Sequence, residues 1–186
     1  INSVKISGNE TVELNQPKSK NAEHPFIQNR IGEQSLGVNI AYEIPDTKSL
    51  TPEGVTRTSD AKYVMENSLN SSNYLAHALA NTLLSLLHNK IHRGSYHTCE
   101  TAASLMLHFK PNYYHWFVEC VPRLRGVRAF EKLNSCEVEL LITPNPPSWM
   151  EESLKMMNHW GQCIEHHSNV KINRMIIPQS AKSGPY

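Results

Sequence analysis

A chain of 186 residues with 39% hydrophobic and 19% charged residues is long enough to bury one good-sized core. Its formal charge of +1 argues against a dedicated nucleic-acid surface, which needs a strong positive excess on one face. No apolar run approaches the ~20 residues that span a bilayer, and four scattered cysteines with no CxxC pair do not make a disulfide scaffold.

Residues 1–35 are polar, rich in Asn, Gln, Lys and Ser, and read as a loose lead-in with one short strand. A short apolar run at 38–42 suggests a strand stopped by Pro45-Asp46. Alternation at 55–59 and 62–66, around Ser59-Asp60-Ala61, suggests paired strands. Residues 36–70 are therefore expected to form a small antiparallel unit. A turn-rich patch at 68–74 precedes a helix over 75–91, where Leu75, Leu79, Leu83, Leu86 and Leu87 recur at helical spacing before the stop signal Gly94.

The apolar run 102–109 reads as a buried strand, ended by Pro111. A helix opening near Asn112 should continue to about Leu133, with Phe117, Cys120, Val121, Leu124, Val127 and Phe130 as the stripe facing a sheet. Pro122 lies too deep to be a cap, so a kink or a break into two helices is expected there. A strand over 138–143 ends at Pro144, a helix over 149–160 closes at Gly161, and a last strand over 170–177 stops at Pro178. This rhythm of strand, helix, strand, helix, strand predicts an α/β domain over 71–180 with a parallel sheet covered by helices. Ligands in such sheets sit beyond the carboxyl ends of the strands, which is where 112–119 falls.

Within that segment His115 and Glu119 are four residues apart. On a helix this is roughly 40° off alignment, so the two side chains share a face. A histidine beside a carboxylate supplies the parts of a general base; the alternative is an i,i+4 polar pair on an exposed helix face. Tyr113, Tyr114 and Trp116 surround the pair with aromatic faces, suited either to holding a sugar ring or to the core. Arg123, four residues past Glu119, either fixes the carboxylate, meets a phosphate or makes a plain helix pair. Arg125 and Arg128 read as a solvated basic edge.

Ten histidines raise the question of a metal. His88, His92, His97 and Cys99 form one loose group, and His159, Cys163, His166 and His167 another. Neither has a recognised ligand pattern such as HExxH or paired CxxC, so no metal is assigned. The chain also has no GxxxxGK[ST] loop, no GxGxxG turn and no GxSxG elbow, which removes the usual support for kinase, dinucleotide-dependent oxidoreductase and serine hydrolase readings.

The segment Asn112-Tyr-Tyr-His-Trp-Phe-Val-Glu-Cys-Val-Pro-Arg-Leu124 resembles the signature of glycosyltransferase family 61, an Asn-Tyr-x-His-Trp stretch followed by an acidic residue and Pro-Arg-Leu. The resemblance extends over roughly residues 38–180, including Pro52-Glu-Gly-Val55, 105–109, 138–143, Trp160-Gly161 and 173–178. It implies a GT-B architecture of two Rossmann-like halves. It also implies an inverting, metal-independent transfer, with no cofactor, of a sugar such as xylose or N-acetylglucosamine. The donor is a nucleotide sugar, expected to carry uridine diphosphate, and the acceptor is a hydroxyl of a glycan. Glu119 matches the motif's candidate base, with His115 beside it and Asn112, Tyr113, Tyr114, Trp116 and Arg123 lining the pocket. Many relatives have Asp where this chain has Glu119. The family's second half, which binds most of the donor, would begin near where this chain ends. The chain is thus expected to be the acceptor-side half, with 181–186 opening a hinge to a donor-binding partner half. The alternative is a glycan- or protein-binding module without turnover.

Overall fold

The computed structural model describes residues 2–5, 10–14, 32–36, 40–50, 54–64, 80, 83, 97–106 and 111–178, with side chains from residue 41 onward. It is an α/β fold built on one mixed seven-stranded sheet. The strands of that sheet are β1 (Asn2–Lys5), β4 (Ile40–Leu50), β5 (Val55–Thr58), β6 (His97–Ser104), β7 (Glu139–Ile142), β8 (Cys163–Glu165) and β9 (Val170–Pro178). The order across the sheet is β1-β4-β9-β6-β7-β8, with β5 also on β4. β2 (Glu10–Leu14) and β3 (Gly32–Leu36) pair separately as an antiparallel ribbon.

β6, β7, β8 and β9 are mutually parallel, while β4 adds antiparallel to β9, and β1 and β5 pair antiparallel with β4. The hairpin read at 36–70 is thus hydrogen-bonded into the same sheet as the parallel strands, through the long β4–β9 ladder from Ala41↔Pro178 to Ser49↔Val170. Pro45-Asp46 does not stop β4, contrary to the sequence reading. β1 covers 40–43 of that edge and β5 covers 47–50, so Pro45, which has no N–H to offer, falls in the gap between the two neighbours. Asp46 takes a left-handed φ of 49° there and bends the strand. Of the second strand expected at 62–66, residues 62–64 are described and carry the bridge Arg57↔Tyr63; 65 and 66 lie outside the described residues. Of the helix read over 75–91, Ala80 and Leu83 are described and both are helical; the remainder and the 68–74 turn lie outside the described residues.

Two helices, α2 (Arg123–Asn134) and α3 (Ser148–Met156), form the crossovers of the parallel run. Ahead of them, the single-turn α1 (Tyr113–His115) and a π-helical stretch over Trp116–Cys120 carry the chain out of β6. Leu124, Val127 and Phe130 of α2 and Met150 and Leu154 of α3 pack on Ala103, Leu140, Ile142 and Ile176 of the sheet. The opposite face buries Ile44, Cys99, Leu141, Ile172, Met175 and Ile177 around Val64.

The connection from β8 to β9 is unusual. These strands are parallel and separated in the sheet by β7 and β6, yet only residues 166–169 join them. Glu165 aligns with Ile142, just past the rung of Ser104, whereas Val170 aligns with His97. In a flat sheet those ends would lie roughly 30 Å apart, and five residue steps reach at most roughly 17 Å. The sheet must therefore roll, bringing the carboxyl end of β8 to the amino end of β9. Two contacts across the seam agree. A Cβ added to Gly54, which leads into β5 with φ +66°, would lie 2.7 Å from Met106 Sδ just past β6. The His166 N–H donates to Ile142 O at 3.0 Å, while its ring is turned toward the Ser49 backbone of β4.

That seam is polar and buried. His166 is 1% exposed near Ser49 of β4, and among the described residues its two ring nitrogens have no hydrogen-bond partner, nor do the buried Thr47 Oγ1 and Ser49 Oγ. Burial, aided by His167 nearby, pushes the His166 imidazole from its ordinary 6.5 down to about 4. The folded state holds the ring neutral while the unfolded chain takes up a proton below ~6.5, so the unfolded state binds more protons between those values. This contribution to stability is fully present above pH 6.5 and is lost as pH falls toward 4, on the order of 2–3 kcal/mol. Denaturant midpoints of the wild type and His166→Gln, followed from pH 7 to pH 4.5, are expected to converge as the wild type loses this increment. A difference that stays constant over the window would place the ring in contact with water.

Candidate functional site

The sequence that leaves β6 builds the site. Asn112 is extended (φ −122°, ψ 122°), and its Oδ1 accepts from the His115 backbone N–H at 3.2 Å, so its side chain caps the helix start. The next turn widens. The Val121 N–H reaches back five residues to Trp116 O at 2.9 Å, giving the π-helical stretch. Pro122 is the physical cause: it has no N–H to close an α-helical turn onto residue 118, so the chain breaks there and α2 restarts at Arg123. The break expected at Pro122 is present; the π-helical turn before it was not anticipated.

The π turn keeps His115 and Glu119 on one face. His115 Nδ1 lies 3.0 Å from Glu119 Oε1, with the two side chains 40% and 37% exposed. The tautomer of the imidazole sets which partner donates in this pair. Tyr114 stands edge-on to the imidazole with centroids 5.5 Å apart. Tyr113 and Tyr114 are 63% and 65% exposed, and Phe117 and Val118 also open to solvent. Tyr113 is braced by Phe117 at 4.7 Å and by Trp149 of α3 at 5.4 Å.

Trp116 belongs to the core and not to the pocket wall. It is fully buried, its Nε1–H donates to Ser153 Oγ at 2.9 Å, and Ser153 in turn donates to Met150 O at 2.7 Å. Arg123 reaches back to the carbonyl of Ser104 at the end of β6, at 3.4 Å, and so ties the helix start to the strand. Cys120 adjoins Glu119 in sequence but is no nucleophile, since burial pushes its thiol up to about 11. Arg128 donates to His159 Nε2 at 2.8 Å and also to the Met157 carbonyl, which ties α2 to the turn after α3 and replaces the solvated role read for it.

A comparison with protein-family models, with curated proteins and with solved structures gave no match to this chain. The site therefore stands on its own geometry.

The two histidine groups of the sequence separate in space. His159 bonds Gln162 and Arg128, His167 pairs with Glu165 at 3.0 Å, and His166 lies in the rolled seam, so the second group forms no ligand set. In the first group, His97 and Cys99 approach a residue that sequence reasoning did not connect to them, Glu139 of β7. The i,i+2 spacing of His97 and Cys99 on a strand was the available signal for a shared face. Their partner from the neighbouring strand depends on register, which one sequence does not reveal. His88 and His92 lie outside the described residues.

Ser153→Ala leaves the buried Trp116 indole N–H without its acceptor, a loss expected to cost ~1–3 kcal/mol. The readout is a lowered denaturant midpoint together with a change in tryptophan emission. An unchanged midpoint would mean that the indole is not held in the core by this bond.

Proposed function

We infer that this chain is the acceptor-side half of an inverting glycosyltransferase of family 61 type. The observation that carries the reading is the His115–Glu119 pair at 3.0 Å, half open to solvent on the helix that leaves the carboxyl end of a parallel strand. It coincides with the Asn112–Leu124 motif that resembles the family signature. A Rossmann-like half of a GT-B enzyme is supported by the run β6, α2, β7, α3, β8, in which parallel strands alternate with helices. The four-residue β8–β9 link departs from such a half, because a doubly wound sheet joins parallel strands through a crossover of a dozen or more residues.

In this reading Glu119 takes the proton of the acceptor hydroxyl as that oxygen attacks the anomeric carbon of a nucleotide sugar. The bond to the diphosphate breaks on the opposite side, and the configuration inverts. One carboxylate is enough for this chemistry, since the diphosphate leaves as a stable anion. His115 orients the carboxylate through Nδ1 and offers Nε2 to the acceptor hydroxyl. Tyr113 and Tyr114 supply exposed rings against which a sugar can stack. Asn112 and Arg123 act indirectly, by fixing the helix start. The uridine diphosphate sugar would be held by a donor-binding half.

A second reading is favoured by the exposure of Tyr113, Tyr114, Phe117 and Val118 on one turn: a module that binds glycan without turnover. Transfer assays with uridine diphosphate sugars, on the enzyme that carries this chain with its donor half, separate the two. Glu119→Gln is expected to lower turnover by ~10²-fold or more with the fold kept. Near-normal turnover in that variant would sink the assignment of the base. Oligosaccharide binding weakened by Tyr114→Ala, with no transfer from any nucleotide sugar, would favour the module.

A further inference from the structure

At the opposite end of β6 from the His115–Glu119 pair lies a second cluster. His97 and Cys99 sit two residues apart on β6, Glu139 opens β7, and one potential ligand atom from each lies within 4.8 Å of the other two. His97 is exposed, Glu139 is half-buried and Cys99 is fully buried. The β6–β7 ladder begins only at Ala102↔Glu139, so below that rung His97–Thr101 are joined to β9 but carry no pairing to β7.

We propose that His97, Cys99 and Glu139 bind a zinc ion, with water in the fourth position. The ligand chemistry selects the metal: an imidazole nitrogen, a thiolate sulfur and a carboxylate oxygen together suit zinc, whereas magnesium and calcium take oxygen ligands. Bond lengths of ~2.3 Å to sulfur and ~2.0–2.2 Å to nitrogen and oxygen set the corners of a tetrahedron roughly 3.3–3.7 Å apart. Closing the cluster onto an ion takes a shift of about 1 Å from it. The exposed His97 and half-buried Glu139 have the freedom to make that shift, and Cys99 is the fixed anchor. Charge also balances, because a thiolate and a carboxylate together neutralise the dication at a partly buried position.

In the metal-free state the Cys99 thiol carries its proton, with the Glu139 carboxylate within reach. On binding, the S–H bond breaks as the S–Zn bond forms, and one proton leaves to solvent for each ion. The donor set carries no redox step. The site lies away from Glu119, so the inference stands independently of the transferase reading.

The test uses the purified untagged chain, stripped of metal and titrated with cobalt(II) as a spectroscopic substitute. A thiolate-to-cobalt charge-transfer band saturating at one equivalent and abolished by one equivalent of zinc is expected. Cys99→Ser should remove the band. His97→Ala, at an exposed position with little bearing on the fold, should weaken binding ~10-fold or more, and Cys136→Ser should leave the band unchanged. Absence of the band in the wild type, its survival in Cys99→Ser, full affinity in His97→Ala, or its loss in Cys136→Ser would each overturn the proposal. If Cys99→Ser does not fold, as circular dichroism would show, the decision passes to His97→Ala and Glu139→Gln.

Discussion

The four-residue link between β8 and β9 is the constraint on which the rest of this structure depends. Parallel strands separated by two others cannot be joined by residues 166–169 across a flat sheet. Once the sheet rolls, the β4–β5 hairpin no longer projects as a separate unit. Gly54, at the entry to β5, meets the chain just past β6, where with its left-handed φ it faces Met106 closely enough that a side chain would clash. The same roll buries His166 near Ser49, and among the described residues its ring has no hydrogen-bond partner. Unsatisfied polar atoms in such a place cost free energy, so the seam is held by the apolar clusters on either side of it rather than by its own contacts.

The helical layer is positioned from the same end of the sheet. Arg123 grips the carbonyl of Ser104, and Trp116 hydrogen-bonds into α3 through Ser153. These two ties fix the π-helical turn between them. One side of that turn is core, with Trp116 and Cys120 fully buried; the other carries His115, Glu119 and the exposed tyrosines. A widened turn at a proline break thus divides one short segment into a rigid inner half and an open outer half. That division holds the His115–Glu119 pair in place while leaving it open to solvent.

Much of the order along the chain was legible in the sequence. The apolar runs and proline stops placed β7, α3 and β9 within a few residues, and Pro122 marked the break before α2. What failed depends on neighbours. Pro45 reads as a strand terminator because a central strand needs its N–H groups, yet β4 passes through it by leaving that position between two partial neighbours. β6 begins at His97 and not near 102, because its polar first half, His-Thr-Cys-Glu, is strand only through the ladder to β9. Trp116 and its neighbouring tyrosines look alike in the sequence, and only the packing of α3 separates the buried ring from the exposed ones. Asn112 and Arg123, both read as pocket residues, turn their polar groups to the backbone instead.

β6 connects the two sites and explains why they fall where they do. At its carboxyl end the strand hands the chain to a helix start, with the carboxylate and imidazole that a proton transfer requires. At its amino end, among the described residues, it pairs with β9 only, since the β7 ladder stops at Glu139. Backbone hydrogen bonds therefore do not hold β6 to β7 below that rung. A zinc ion bridging His97 and Cys99 to Glu139 would supply the missing cross-link at the point where the ladder ends, and the ion's free energy of binding would add to that of folding. Its effect would reach the far end through the strand itself: β6 fixed to β7 at one end is held in register where Arg123 grips Ser104 at the other. A bound metal here would thus act on the rigidity of the frame behind Glu119.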